Sequence, residues 1–511
     1  VIVTTSAGQV HGVDKHGVLQ FRGVPYARVP GRFRAAEPAE PWSGVREATS
    51  FGPSAPQVPG PLERMIGGRE WESSEDCLVL NVFTPDGAPG DGGVRPVMVW
   101  IHGGGFVGGS GHIPWYDGSA LVRAGDVLVV TINYRLGALG FLHLGHLVDE
   151  LRGSGSNGVG DQVAALRWVR DEIAAFGGDP GNVTIFGESA GGMSVGTLLA
   201  TPDARGLFHR AIAQSGAASN GQRPASAEWV TERYLAEVGL SPADAEGLVD
   251  VPLDEVLRAQ QAVEGEVLRG GGPNSAGGGM LAYQPLADGT LIPEDPLASV
   301  AAGNAAGVPL LIGTTADEWN LFHMAARQAG PLDEGRLRRR LGRLVGEDRV
   351  DDVVAAYRHA RPEADLDALV CALMTDRVFR IPAVRLAQAQ LPHAPRVSMY
   401  RFDYPSSAFD GILAACHAIE IPFVFDNLDR GGAEMFLGGV DDDTRRLASR
   451  ASRAWLGTAR TGDPSHEDLD WPAYDTDRRA TCVLDRVPAV EDDPGADLRR
   501  LWDGVDGVDG V

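Results

Sequence analysis

Apolar positions along the chain fall into three patterns. Short runs of β-branched and aromatic residues between Gly and Pro, at Val18-Leu19-Gln20-Phe21, Cys77 to Phe83 and Val97-Met98-Val99-Trp100-Ile101, predict strands. Continuous apolar runs from Val127 to Ile132 and from Val183 to Phe186 predict strands buried on both faces, and Ala211 to Ser215 and Pro309 to Gly313 read as further buried strands. Between them Val163, Leu166, Val169 and Ile173 share one face at helical spacing, and Gly177-Gly178-Asp179-Pro180 is expected to end that helix. Strand, helix and strand therefore alternate, which predicts an α/β fold: a large, mostly parallel central sheet flanked by helices. Residues 226–265 and 332–395 carry Ala, Leu and Val stripes and are expected as helical insertions beside the sheet, within a single domain spanning 1–511. Val397 to Phe402 reads as a late strand and residues 442–459 as a late helix.

The polar stretches change the picture in three places. Residues 31–74 lack periodicity and read as a long surface excursion, with Met65 and Trp71 as apolar anchors of that loop. Gly-rich residues 270–279 read as a slack connection, and residues 503–510 as a frayed tail.

Composition narrows the function classes. With 43% apolar and 22% charged residues, a chain of 511 residues buries a sizeable core. A formal charge of −24 opposes nucleic-acid binding, because no basic patch easily outweighs that field. Four scattered cysteines form neither a disulfide framework nor a metal motif, and no apolar run spans a membrane. A cytoplasmic monomer is the expectation.

The chemistry concentrates at Gly187-Glu188-Ser189-Ala190-Gly191, where a strand pattern meets a small-residue helix pattern. A serine at such a turn is held above the sheet, and the following helix aims its first N–H groups, Ala190 among them, at any oxyanion formed there. A hydroxyl is a weak nucleophile and needs a base with an orienting acid. Of twelve histidines, His417 stands in an irregular late stretch and is the leading base; Asp317 and Glu318, just past a buried strand, are both candidates for the acid. The turn His102-Gly103-Gly104-Gly105-Phe106 is placed to supply two more N–H donors, from Gly104 and Gly105, and His102 reads as structural. Such chemistry requires neither metal nor organic cofactor.

These residues, together with Phe21 to Ala27, Ser74 to Asn81, Asn133 to Gly137 and Gln214-Ser215-Gly216, resemble the type-B carboxylesterase and cholinesterase family of α/β-hydrolases over nearly the whole chain. The resemblance implies a serine esterase working through an acyl-enzyme on a small-molecule ester. It implies a Ser189, Glu318 and His417 triad, oxyanion donors Gly104, Gly105 and Ala190, and supporting roles for Glu188 and Ser215. It further implies ion pairs of Arg22 with Glu75 and of Arg135 with Asp161. Related acyl bonds (lactone, carbamate, aromatic polyester or amide) use the same machinery, and a non-catalytic binding protein on this scaffold is the more distant alternative. Cys77 has no upstream cysteine to pair with, and Trp319 stands where the family places a glycine after the acid.

Overall fold

In the computed structural model, residues 1–58, 60, 72–272, 281–326 and 334–505 are described. Met65, Trp71, residues 273–279 and the tail from 506 lie outside them. Eleven strands form one sheet. In chain order they are β1 (Val13–Asp14), β2 (Val18–Pro25), β3 (Val79–Pro85), β4 (Arg95–Ile101), β5 (Leu128–Ile132) and β6 (Gly178–Glu188). They continue as β7 (Arg210–Gln214), β8 (Leu310–Thr315), β9 (Val397–Phe402), β10 (Ala480–Leu484) and β11 (Ala489–Asp492). The spatial order is β11-β10-β9-β8-β7-β6-β4-β5-β3-β2-β1. Strands β4 to β10 run parallel to one another, whereas β1 to β3 and β11 attach antiparallel at the two margins.

Alternation along the strands sorts side chains into two cores. Val97, Val99 and Ile101 of β4 join one apolar cluster and Met98 and Trp100 the other, as a period of two requires. Both faces are covered, which is why the central strands read as unbroken apolar runs.

Helices α1 (Asn157–Glu172), α2 (Ala190–Ala200), α3 (Pro224–Glu237), α4 (Leu253–Leu268), α5 (Trp319–Ala326), α6 (Leu366–Thr375), α7 (Ile381–Gln390) and α8 (Asp442–Thr461) include those that position the site. A π turn, Asp376–Arg380, joins α6 to α7. No described helix is long and apolar enough to cross a membrane.

Two sequence expectations shift. The glycine stop after α1 is displaced: α1 ends at Glu172, a 3-10 turn follows over Ile173–Phe176, Gly177 turns the chain with φ of 90°, and β6 already begins at Gly178. Arg22 does not pair with Glu75. Its guanidinium lies 4.3 Å over Phe51 and donates to Gln20, while Arg32 takes Glu75 with two bonds of 2.7 and 2.6 Å. Arg135 and Asp161 do pair, fully buried and bidentate at 2.8 and 2.6 Å.

Candidate active site

Parallel register brings the C-terminal strand ends into line. Gly187 of β6 sits opposite Ile101 of β4, Glu188 opposite Gln214 of β7, and Gln214 opposite Gly313 of β8. Whatever follows these residues therefore collects at one rim, where open α/β sheets place their ligand chemistry.

Ser189 is the hinge between β6 and α2. Its φ of 57° and ψ of −126° lie where side chains are rarely tolerated. The strain persists because the surroundings determine it. A Cβ on Gly191 would fall 2.0 Å from the Ile101 carbonyl oxygen, and one on Gly187 2.6 Å from the Gly191 backbone, so only glycines let α2 start so close to β4. The Ser189 N–H donates to the Gln214 carbonyl at 3.0 Å. Ser189 is partly exposed, and its hydroxyl makes no hydrogen bond to a described residue.

Beside it runs the glycine turn. Gly104 and Gly105 have φ of 111° and 61°, and the Gly104 carbonyl accepts from the Val107 and Gly108 N–H groups at 3.1 and 3.0 Å. The Gly104 and Gly105 N–H groups donate to none of the described residues. Gly103 brings the turn against the serine, since a Cβ there would lie 3.0 Å from Ser189 Cβ. His102 is buried under this turn, stacked at 4.5 Å on Tyr134, and burial pushes its pKa down to about 4, which keeps it neutral.

The two acidic candidates separate. The Asp317 carboxylate points to the surface and meets Arg361 at 3.4 Å. Glu318 is buried: one oxygen accepts from the Thr315 N–H at 2.8 Å and the other lies 2.6 Å from His417 Nδ1. Trp319 opens α5 without disturbing this geometry, its N–H donating to Thr375 Oγ at 3.1 Å. Its ring packs on Phe322 at 5.0 Å.

His417 sits between Ala414 and Ala418, both with positive φ (48° and 66°), so the backbone around it is irregular. Phe322 of α5 and Phe379 of the π turn pack on the imidazole at 5.0 and 4.9 Å. Its Nε2 lies 3.1 Å from Glu188 Oε1, within ion-pair range but without hydrogen-bond alignment.

Three buried carboxyl groups gather around the histidine. Burial, and after it the Glu318 charge, raises Glu188 well above the usual carboxylate range. Burial, then Glu188 and Glu318, raises Glu420 to about 8. Gln214 donates to Glu420 at 3.2 Å and accepts from Trp455 at 2.9 Å. Ser215 N–H holds the Gly313 carbonyl at 2.8 Å, and its buried hydroxyl bonds no described residue. Sequence reasoning missed Glu420, Phe322 and Phe379. A lone carboxylate in the apolar run Ile419 to Phe423, three residues after His417, was the available signal for the first; the two rings had none.

A mostly parallel sheet whose rim carries a strained strand-to-helix turn is the framework of the α/β-hydrolases, and this chain has that fold. It belongs to the carboxylesterase family, whose profile matches residues 1–497, and is a carboxylic ester hydrolase. It is 41% identical to the para-nitrobenzyl esterase of Bacillus subtilis over 505 residues, covering 98% of both chains. The solved carboxylesterase of Geobacillus stearothermophilus superposes with a TM-score of 0.86 at 43% identity, covering 98% of this chain and 99% of that one. A solved thermophilic PNB esterase gives 0.87 at 40% identity with the same coverage.

Proposed function

We propose that Ser189, His417 and Glu318 carry the ester hydrolysis, with the N–H groups of Gly104, Gly105 and Ala190 as oxyanion donors. The observation that supports this most directly is the 2.6 Å contact from the buried Glu318 to His417 Nδ1, across the rim from a strained serine. In the reaction His417 Nε2 leaves Glu188 and engages the Ser189 hydroxyl; such contacts commonly tighten only with substrate bound. His417 takes the proton as Ser189 attacks the carbonyl, and the three N–H groups hold the oxyanion. The imidazolium then protonates the leaving alcohol. Water, activated by the same histidine, releases the acyl group and restores the serine. Glu318 keeps the Nδ1 proton in place and stabilises the imidazolium throughout. Glu188 and Ser215 support this pair from its flanks.

The chain works, on this reading, as one α/β-hydrolase unit over 1–511, with the helices of 226–265 and 332–395 inserted beside the sheet. It acts as a cytoplasmic monomer on small-molecule esters. Four free buried cysteines and a charge of −24, which repels polyanions, favour that setting. Para-nitrobenzyl esters are the first class to assay, after the name of the Bacillus relative. The aromatic wall of Phe322 and Phe379 beside His417 suits an aryl-bearing ester. A fluorophosphonate should label Ser189 alone, and Ser189→Ala should lower kcat by about 10⁴-fold or more with the fold intact. Label on another residue, or near-normal turnover of the variant, would sink the assignment.

A further inference from the structure

The oxyanion turn is held from outside the sheet by a side chain that the reaction scheme does not use. Gln57, in the segment leading away from Pro53, brackets Gly109 at both backbone groups: the Gly109 N–H donates to Gln57 Oε1 at 2.8 Å, and Gln57 Nε2 donates to the Gly109 carbonyl at 2.9 Å and to Ala55 O at 3.0 Å. Gly109 in turn lies directly on the donor turn. With φ of 99°, a Cβ there would fall 2.3 Å from the Gly103 carbonyl and 2.5 Å from His102 Nδ1. Residues 103 to 109 thus form a closed loop, pulled together inside by the two bonds onto the Gly104 carbonyl. A second amide completes the grip. Asn133, at the end of β5, accepts from Gly111 N–H at 2.8 Å and Ser110 Oγ at 3.1 Å, and donates to Pro53 O at 2.9 Å.

We propose that Gln57 is a positioning residue for ester hydrolysis, fixing the Gly104 and Gly105 N–H groups where the tetrahedral oxyanion forms. Oxyanion donors stabilise charge only when preorganised at hydrogen-bond distance from the transition-state oxygen, and a glycine turn has no side chains of its own to hold it there. Asn133 is buried against the sheet and supports the fold as well as the turn. Gln57 is partly exposed, so its removal leaves the strand framework standing. The inference rests on Gly104 and Gly105 being the donors.

The test compares wild type, Gln57→Ala and Gln57→Glu on a p-nitrophenyl ester, with two competitive inhibitors: a trifluoromethyl ketone, whose serine adduct places an oxyanion in the hole, and the matching alcohol, which does not. Gln57→Ala should lower kcat roughly 10–100-fold and weaken the ketone by the same factor, with KM and the alcohol within about twofold. Gln57→Glu keeps the acceptor for Gly109 N–H and loses the donor, so it should fall between the two; if the Ala variant does not fold, this variant decides. Kinetics and ketone affinity within about twofold of wild type would overturn the proposal, as would equal weakening of ketone and alcohol. A wild-type enzyme that binds the ketone no tighter than the alcohol would instead overturn the donor assignment beneath it.

Discussion

At the scale of single residues, His417 stands between two glutamates in different surroundings. Glu318 Oε2 meets Nδ1 at 2.6 Å while the other oxygen is held by a backbone N–H. Glu188 meets Nε2 at 3.1 Å, and burial together with the Glu318 charge favours its neutral form. One substitution therefore has two outcomes. On the proposed mechanism, Glu318→Gln removes the group that orients His417 and stabilises the imidazolium, and should lower kcat by about 10³–10⁴-fold. Glu188→Gln replaces a carboxyl whose neutral form burial favours by a neutral amide of the same shape, and should cost less than about tenfold. Steady-state kinetics on a p-nitrophenyl ester with both variants checks this; losses of equal size would mean that Glu188 is ionised in the working enzyme. Which carboxylate orients the histidine was open between Asp317 and Glu318 from the residues alone. Consecutive residues leaving a strand point different ways, and the choice belongs to a histidine 99 positions away.

At the scale of elements, the strand-turn-helix at Ser189 was legible because its residue types answer a local steric demand. The helix is seated so near β4 that a methyl group on Gly191 would overlap the Ile101 carbonyl, with only 2.0 Å available. Neither backbone is free to move, since β4 lies between β6 and β5 in the sheet. Gly191→Ala should therefore destabilise the fold by about 1–3 kcal/mol or more, measured by denaturant unfolding. A change under about 0.5 kcal/mol would show that α2 can slide. Element ends were less legible. β6 takes in Gly178, Asp179 and Pro180, a triplet that reads as a turn, because pairing of Gly178 with Arg95 across an irregular register extends the strand backwards. The π turn at Asp376–Arg380 had no signal in the periodicity of 332–395, yet it carries the Phe379 ring against His417. Arg32, in the loop after β2, takes Glu75, while Arg22 lies over Phe51 and donates to Gln20.

At the scale of the whole molecule, the fold gathers Glu188, Glu318 and Glu420 from the ends of separate chain segments into one buried group. This has a consequence for stability against pH. An unfolded Glu420 releases its proton near the ordinary value of about 4.3, whereas the folded one holds it to about 8. Between those values the native state binds the extra proton, so stability falls as pH rises and levels off above about 8. Glu188, raised in the same direction, adds slope of the same sign. Glu420→Gln should flatten the decline of Tm between about pH 5 and 8, and parallel Tm curves for variant and wild type would refute a raised Glu420. The sequence by itself determined the alternation of buried strands and helices, the serine turn and the glycine turn. These follow from periodicity and from steric limits that act within a few residues. Only the tertiary structure decided which acid faces His417, that Glu420 joins the buried carboxyls, and that Gln57 grips the glycine turn at Gly109. Those depend on strand register and on contacts between segments tens to hundreds of residues apart, where no local pattern records the partner.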